Sequence, residues 1–497
     1  MKRIVPGVVA IALSAGWANA QQITDIGFDK GFTASSVAGL SSDGSVVTGS
    51  MESPQGQRPF TWTAAGGRVN LGTFMGFFGL YALDISDDGR VVVGATFFSG
   101  GSGQVALRWT SETGYEDLGL LVPSDDPAAI AAGTSADGSV VVGTSFATGS
   151  ILAFRWTADQ GMMSLGPPPT GVQTRAVGVS SDGSVVVGEY KLPRFPGPNR
   201  AFRWTQDGGY ETIGLMPQAG TAEATEISPN GRVVVGTAGT TAGTRAFRWT
   251  TGDTIMSDMG ILPGFEHAAP GGVSRDGSIV TGTCTASGVT GRAFMWTVDF
   301  GLVDLQDYLQ SHGVDTTGWS LMGAHVSADG STVAGVGVHN GARHAWIASL
   351  PCWASAQVTT QPHDTIACAA GVATISAAAA PAPRLSYRWE RDGKPLSDDG
   401  HFTGTATPAL MIHDTSTLDA GEYRLAITSI CDTVRTDAAV LSVCPSDFNC
   451  DGTITSQDFF DFLGAFFKGA PAGDINRDAS VDSQDFFDFL GAFFGGC

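Results

Sequence analysis

The chain has 497 residues, a length that suggests about three domains. Hydrophobic residues make up 42%, ample for packed cores, which excludes wholesale disorder. A formal charge of −21 excludes nucleic acid as a partner, because phosphates need a basic surface, and argues against docking to anionic lipid.

Residues 1–20 read as a secretory signal peptide: a positive start at Lys2-Arg3, an apolar run from Ile4 to Gly16, and the small-x-small site Ala18-Asn19-Ala20. The run is shorter than the ~20 residues a spanning helix needs, and Pro6 and Gly7 weaken it. Cutting before Gln21 removes Lys2 and Arg3 and takes the charge from −21 to −23. No later segment is long and apolar enough to span a membrane, so the expected location is secreted or cell surface. The seven cysteines are Cys284, Cys352, Cys368, Cys431, Cys444, Cys450 and Cys497, and six lie in the last third of the chain. Export permits disulfides there, although spacing does not give their connectivity. Cys284, alone among the repeats described next, is the expected unpaired thiol.

Two phrases recur seven times at intervals of 45 to 53 residues. The first is Asp-Gly or Asn-Gly before an apolar run, at Asp43, Asp88, Asp137, Asp182, Asn230, Asp276 and Asp329. These dipeptides favour a tight hairpin turn with positive φ at both central residues. The second is aromatic-x-Trp, ending at Trp62, Trp109, Trp156, Trp204, Trp249, Trp296 and Trp346, with Leu107 and His344 in the aromatic place of two copies. It alternates as a half-buried strand does. A fourth-strand phrase such as Tyr115 to Gly119 follows six of the Trp residues and is missing after Trp346. Its like stands at the mature N-terminus, as Ile23-Thr24-Asp25-Ile26-Gly27. Four short strands per repeat, with the first strand completing the last unit, predict a closed seven-bladed β-propeller over residues 21–351. An open β-solenoid is the alternative. The phrase Ala201-Phe202-Arg203-Trp204 with its Asp-Gly-Ser-Val-Val-Val-Gly companion resembles the HAF family of bacterial extracellular repeats, a resemblance that implies no activity.

Residues 352–444 form the next domain. Tyr387-Arg388-Trp389 before Asp392-Gly393, Leu410-Met411-Ile412, and Asp419 to Tyr423 resemble strand C, strand E and the tyrosine corner of an immunoglobulin-like β-sandwich. The usual inter-sheet cysteines are absent, and Leu425 stands where one is expected. Cys368 and Cys431 flank the strands and are the proposed substitute pair.

Residues 445–497 carry one twelve-residue stretch twice, Ser456 to Phe467 and Ser483 to Phe494, with apolar residues at helical spacing. Each copy follows an acidic loop. The first places Asp447, Asn449, Asp451, Thr453, Thr455 and Asp458 at positions 1, 3, 5, 7, 9 and 12, and the second places Asp474, Asn476, Asp478, Ser480, Asp482 and Asp485 there. Calcium takes six to eight oxygens, and alternate residues of a tight loop can aim them at one point, so this is the spacing of an EF-hand loop and two Ca2+ are expected. Thr453 and Ser480 would contribute backbone carbonyls. Position 12 is Asp where Glu is usual, and position 6 of the second loop is Ala479 where positive φ favours Gly, a cost of about 1 kcal/mol. The loop–helix duplication resembles a type I dockerin, an α-helical calcium module. That resemblance implies antiparallel packing around two ions, a cohesin-like or cell-surface protein partner, and recognition through Ser456-Gln457 and Ser483-Gln484.

No histidine occurs in residues 21–266, and there is no Walker loop, no G-x-S-x-G and no H-E-x-x-H. No catalytic residue or organic cofactor is assigned. The expected function is a non-enzymatic binding or structural protein that presents a glycan or protein ligand site on the propeller. The alternative is a secreted polysaccharide-active protein recruited through the dockerin-like tail, which non-repeated acids or aromatics clustered on one propeller face would favour.

Overall fold

The computed structural model describes residues 22–75, 79–97, 103–122, 128–147, 150–168, 170, 172–193, 197–351, 356–369, 371–380, 385–429, 433–476 and 478–496. The signal peptide, Cys352, Cys431 and Cys497 lie outside the described residues. The chain divides into two compact units, Met1–Pro351 and Cys352–Cys497.

The first unit contains seven four-stranded antiparallel sheets, a β-propeller-like arrangement. Six are built from consecutive strands. The seventh joins Trp319–Val326, Thr332–His339 and Ala342–Ser349 to Thr24–Asp25 from the N-terminus, in register Thr24 to Ile347 and Asp25 to Trp346. The missing strand is therefore supplied where the sequence predicts, and the last sheet has no three-stranded edge.

Backbone bonds between turns carry the closure around the unit. Ser42 N donates to Asp87 O, Asp88 N to Ala136 O, Ala136 N to Ser181 O, Ser181 N to Pro229 O, Arg275 N to Ala328 O, and Asp329 N to Ser42 O. The repeated aspartates make these turns. Asp43 Oδ1 accepts from Ser41 Oγ at 2.8 Å and from Ser45 N at 2.9 Å, while Ser41 Oγ accepts from Val46 N. The bond from Ser45 N, with the Ser45 and Ser41 hydroxyls, holds the Asp43 carboxyl below its ordinary pKa. Asn230 makes the same contacts with its amide oxygen, so the turn needs an acceptor and not a charge. The turn differs from the two-residue hairpin predicted. Only the glycine takes positive φ (Gly44, +70°), and the aspartate caps the turn with its side chain instead. Asn340-Gly341 and Asp392-Gly393 do take positive φ at both residues.

The glycine after each valine run has a steric reason. The innermost strand of every sheet carries a β-bulge, as between Ala224 and Glu226. A Cβ at Gly236 would collide with the Glu223 carbonyl oxygen and crowd the Phe247 ring beneath it. Phe60, Phe154, Phe202, Phe247 and Phe294 are all fully buried. Gly236→Ala should destabilise the first unit by about 1–3 kcal/mol through overpacking. A lowered urea midpoint checks this, and an unchanged midpoint would show that the bulge relaxes freely. One element escaped the sequence reading: Asp304 caps the helix Leu305–Ser311, accepting from Gln306 N and Asp307 N.

In the second unit a six-stranded sheet faces a three-stranded one, Val372–Ser376, Ala409–His413 and Phe402–Thr403. Their shared core holds Trp389, Tyr423, Leu410, Ile412 and Leu425. Tyr423 Oη donates to Asp419 O at 2.8 Å, the corner expected from the sequence. The proposed Cys368–Cys431 pair is overturned: Cys368 is bonded to Cys450, 82 residues on, with the Cα atoms 5.4 Å apart. The cause is topological. Thr365–Cys368 runs parallel to Ala439–Cys444 with Cys368 opposite Cys444, so the chain leaving Cys444 passes directly by Cys368. Cys444 is also disulfide-bonded. Cys284 is free and buried, as expected.

Candidate functional site

The two acidic loops fold by the same bonds. In the first, Asp451 N donates to Asp447 Oδ1 (3.1 Å) and Asn449 Oδ1 (2.9 Å), Gly452 N to Asp447 Oδ2, and Thr453 N to Asp451 Oδ1. In the second, Asp478 N donates to Asp474 Oδ1 (3.2 Å) and Asn476 Oδ1 (3.0 Å), Ala479 N to Asp474 Oδ2, and Ser480 N to Asp478 Oδ1. Gly452 and Ala479 both take positive φ, +85° and +72°, so alanine accepts the strain at position 6. The last carboxylate reaches back across each loop. Asp458 accepts from Asn449 N, and Asp485 from Asn476 N and Ile475 N. Both of these aspartates are fully buried. Burial pushes the Asp458 carboxyl up, but hydrogen bonds from Asn449 N, Thr455 N and the Thr455 hydroxyl outweigh it and leave the pKa lowered. Thr455 and Asp482 are the N-caps of helices Ser456–Phe466 and Ser483–Gly495. All twelve predicted oxygen-bearing residues therefore sit in two matching loops, though among the described residues no three carboxylates of either loop bring an oxygen each within 4.8 Å of one another.

The helices pack about a local two-fold. Phe462 and its copy Phe489 stack at 4.0 Å with planes 7° apart, and the pairs Phe466–Phe486 and Phe459–Phe493 flank them at 5.7 and 5.8 Å. Four phenylalanines do not fit this core: Phe460 and Phe487 are 63% and 64% exposed, Phe467 and Phe494 79% and 82%. The matched values show that the duplication extends to the surface.

A second cluster lies in the first unit and was missed by sequence reading. Four places before each turn Asp or Asn the innermost strands carry Gly39, Asp84, Gly133, Gly178, Glu226, Gly272 and, in the seventh sheet, His325, and of these Gly39, Asp84, Glu226, Gly272 and His325 line one cavity of about 90 Å³. Each side chain stands between glycines. Asp84 Oδ1 lies 3.3 Å from where a Gly39 Cβ would be, and its Oδ2 accepts from Thr134 N. Glu226 Oε1 lies 2.9 Å from the corresponding point at Gly178 and accepts from Ile227 N. The three side chains are half-buried where they line the cavity, with sheets packed around them. Burial first, then the mutual repulsion of the carboxylates, raises Glu226 to about 8. Burial likewise raises Asp84 to about 7 against hydrogen bonds from Thr134 N and Ile85 N. Burial lowers His325 to about 4. Nearby, Arg275 reaches Ser42 Oγ at 2.7 Å and Asp87 at 3.7 Å. Aligning the repeats on Ser-x-Asp-Gly would have exposed the three departures from glycine.

No protein-family model matches the chain, and no curated protein matches it. Among solved structures, it is similar to an oligogalacturonate lyase from Vibrio parahaemolyticus, at 10% identity and a TM-score of 0.47, over 67% of this chain and 95% of that one. It is also similar to TolB from Acinetobacter baumannii, at 10% identity and a TM-score of 0.36, over 61% of this chain and 79% of that one. A shorter stretch, 19% of this chain, is similar to 97% of titin domain M7 at 24% identity and a TM-score of 0.17. Among the described residues no helix is long and apolar enough to cross a membrane.

Proposed function

We propose that this is a secreted or cell-surface binding protein: a seven-bladed HAF-type propeller that presents a ligand face, an immunoglobulin-like sandwich, and a dockerin-like tail that docks when it holds two Ca2+. The observation that carries this reading is the duplicated loop, matched in the four backbone bonds that shape it and in the aromatic surface beside it. Asp447, Asn449, Asp451 and Asp458, with their counterparts Asp474, Asn476, Asp478 and Asp485, would hold the ions. Calcium there would neutralise the clustered carboxylates and fix the helix that follows. The exposed Phe460, Phe467, Phe487 and Phe494, beside Gln457 and Gln484, would form the docking face for a cohesin-like or cell-surface partner. Calorimetric titration of the full chain tests the ions. Two calcium sites are expected, one surviving in Asp447→Asn/Asp451→Asn and the other in Asp474→Asn/Asp478→Asn. No heat at millimolar calcium would sink the reading.

The polysaccharide-active alternative has one observation in its favour, the non-repeated Asp84, Glu226 and His325. The cavity they line is about 90 Å³, against ~300–1,000 Å³ for small-molecule pockets. It has room for water or an ion, not for a sugar chain, which ranks this reading second.

A further inference from the structure

Where the N-terminal strand closes the last sheet, three side chains from distant parts of the chain converge. Asp25 Oδ2 lies 3.2 Å from His339 Nδ1, and Asp25 Oδ1 lies 3.0 Å from His344 Nδ1. One ligand atom from each residue falls within 4.8 Å of the other two, and among the described residues no other three His, Cys, Asp or Glu meet in this way. The rings are held in place. Trp319 stacks on His339 at 4.4 Å with planes 13° apart, and Phe28 packs on His344 at 4.8 Å. The site is half-buried, with the Asp25, His339 and His344 side chains 35%, 24% and 15% exposed.

We propose that Asp25, His339 and His344 form a binding site for a divalent transition metal, zinc or a similar imidazole-seeking ion, that clips the N-terminal strand to the last sheet. Ligand atoms about 2.0–2.1 Å from zinc in a tetrahedron stand roughly 3.3 Å apart, so the two nitrogen–oxygen spacings are already near those of a filled site. Two imidazoles and one carboxylate suit zinc, and leave a fourth position for water. The all-oxygen loops of the tail suit calcium instead, so the two sites would not compete. Without metal, each Nδ1–H can donate to Asp25. On binding, each neutral ring carries its proton on Nε2 and offers the Nδ1 lone pair, with no net proton released. Asn340 Nδ2 lies 3.4 Å from His339 Nε2, and a flip of that amide on metal binding would present its oxygen to accept the Nε2 proton. The benefit to the fold is specific. The strand Thr24–Asp25 pairs through only two residues, and a metal would join it to its neighbour Ala342–Ser349 and to Thr332–His339 beyond it.

The test uses the full chain saturated with calcium, with zinc as the titrant in calorimetry and cobalt as a spectroscopic probe. One zinc equivalent is expected, weakened at least tenfold in His339→Gln, in His344→Gln and in Asp25→Asn, with a zinc-dependent rise in Tm lost in the same variants. Cobalt should give a visible d–d absorption and quench tryptophan fluorescence. Trp319→Phe, which keeps a ring against His339, should remove part of that quenching. Asp25→Asn keeps the shape and hydrogen-bonding capacity of the strand, so it reports on ligation even if a histidine variant is unstable. Zinc binding of unchanged affinity in all three variants would assign the ion elsewhere and overturn the proposal. So would no binding to the parent protein at millimolar zinc, which would leave two imidazoles hydrogen-bonded to a carboxylate.

Discussion

Chelating calcium should melt the helices Ser456–Phe466 and Ser483–Gly495 while the seven sheets stay folded. Seven carboxylates occupy the positions proposed to hold the two ions, and Asp458 and Asp485 among them are fully buried. Without cations those charges repel one another, and the core that resists them is small: Phe462, Ile475 and Phe489 are its only well-buried members among the described residues. For so small a core, the free energy of binding the metal is in large part the free energy of folding. Hydrogen-exchange mass spectrometry on the full chain, with and without EGTA, reads the effect locally. Protection should be lost across both helices and kept in strands such as Val233–Thr240. Phe462→Ala should give the same pattern even in calcium, because it removes a ring at the centre of the stack at a cost of about 3–5 kcal/mol. Helices that stay protected in EGTA would mean that the Cys368–Cys450 bond and the aromatic core hold the tail without metal.

What could be read in the sequence is what recurs within it. Seven copies of one turn show that its aspartate is structural, because Asn230 makes the same bonds in its place. The displaced strand phrase at Ile23 to Gly27 was legible because six other copies showed where it belonged. Single events were not legible. Cys368 and Cys450 meet because two strands run parallel, and nothing in cysteine spacing encodes strand direction. Asp25 and His344 stand 319 positions apart and meet only because the ring closes. The cavity residues fall between these cases. Asp84, Glu226 and His325 replace a recurring glycine, so the signal was present, but it has meaning only once that position is known to line the cavity. The disulfide also changes how the tail must be studied. Cut away at residue 445, it would lose the partner of Cys450 and with it one tie to the sandwich.

Replacing the two cavity carboxyls with amides should stabilise the first unit at alkaline pH and do little in acid. Burial raises both groups, Asp84 from 3.8 to about 7 and Glu226 from 4.5 to about 8. The folded state therefore holds protons that the unfolded chain releases first. The favourable contribution is complete below the unfolded pKa values and is lost as pH climbs through the folded ones. A tenfold gain in proton affinity on folding is worth about 1.4 kcal/mol. The charge of Asp84 adds to burial at Glu226, and that of Asp87 adds to it at Asp84, so the two acids titrate as a coupled pair and their contribution falls away together between about pH 4 and pH 8. His325 acts in the opposite sense. Its lowered pKa makes stability fall as pH drops from 6.5 toward about 4, but one imidazole works there against two carboxyls. Glu226→Gln keeps the side-chain shape and an oxygen to accept from Ile227 N, whereas Asp84→Asn keeps an oxygen for only one of Thr134 N and Ile85 N, a fixed cost that cancels when the variant is compared with itself across pH. Urea unfolding in calcium buffer, followed by tryptophan fluorescence from pH 5 to pH 9, measures the difference. The gain of the double variant over the parent should grow with pH and level off once both acids are ionised in the parent. A gain that does not change with pH would show that both carboxyls are already ionised in the folded chain, which in so enclosed a place requires a counter-cation between them.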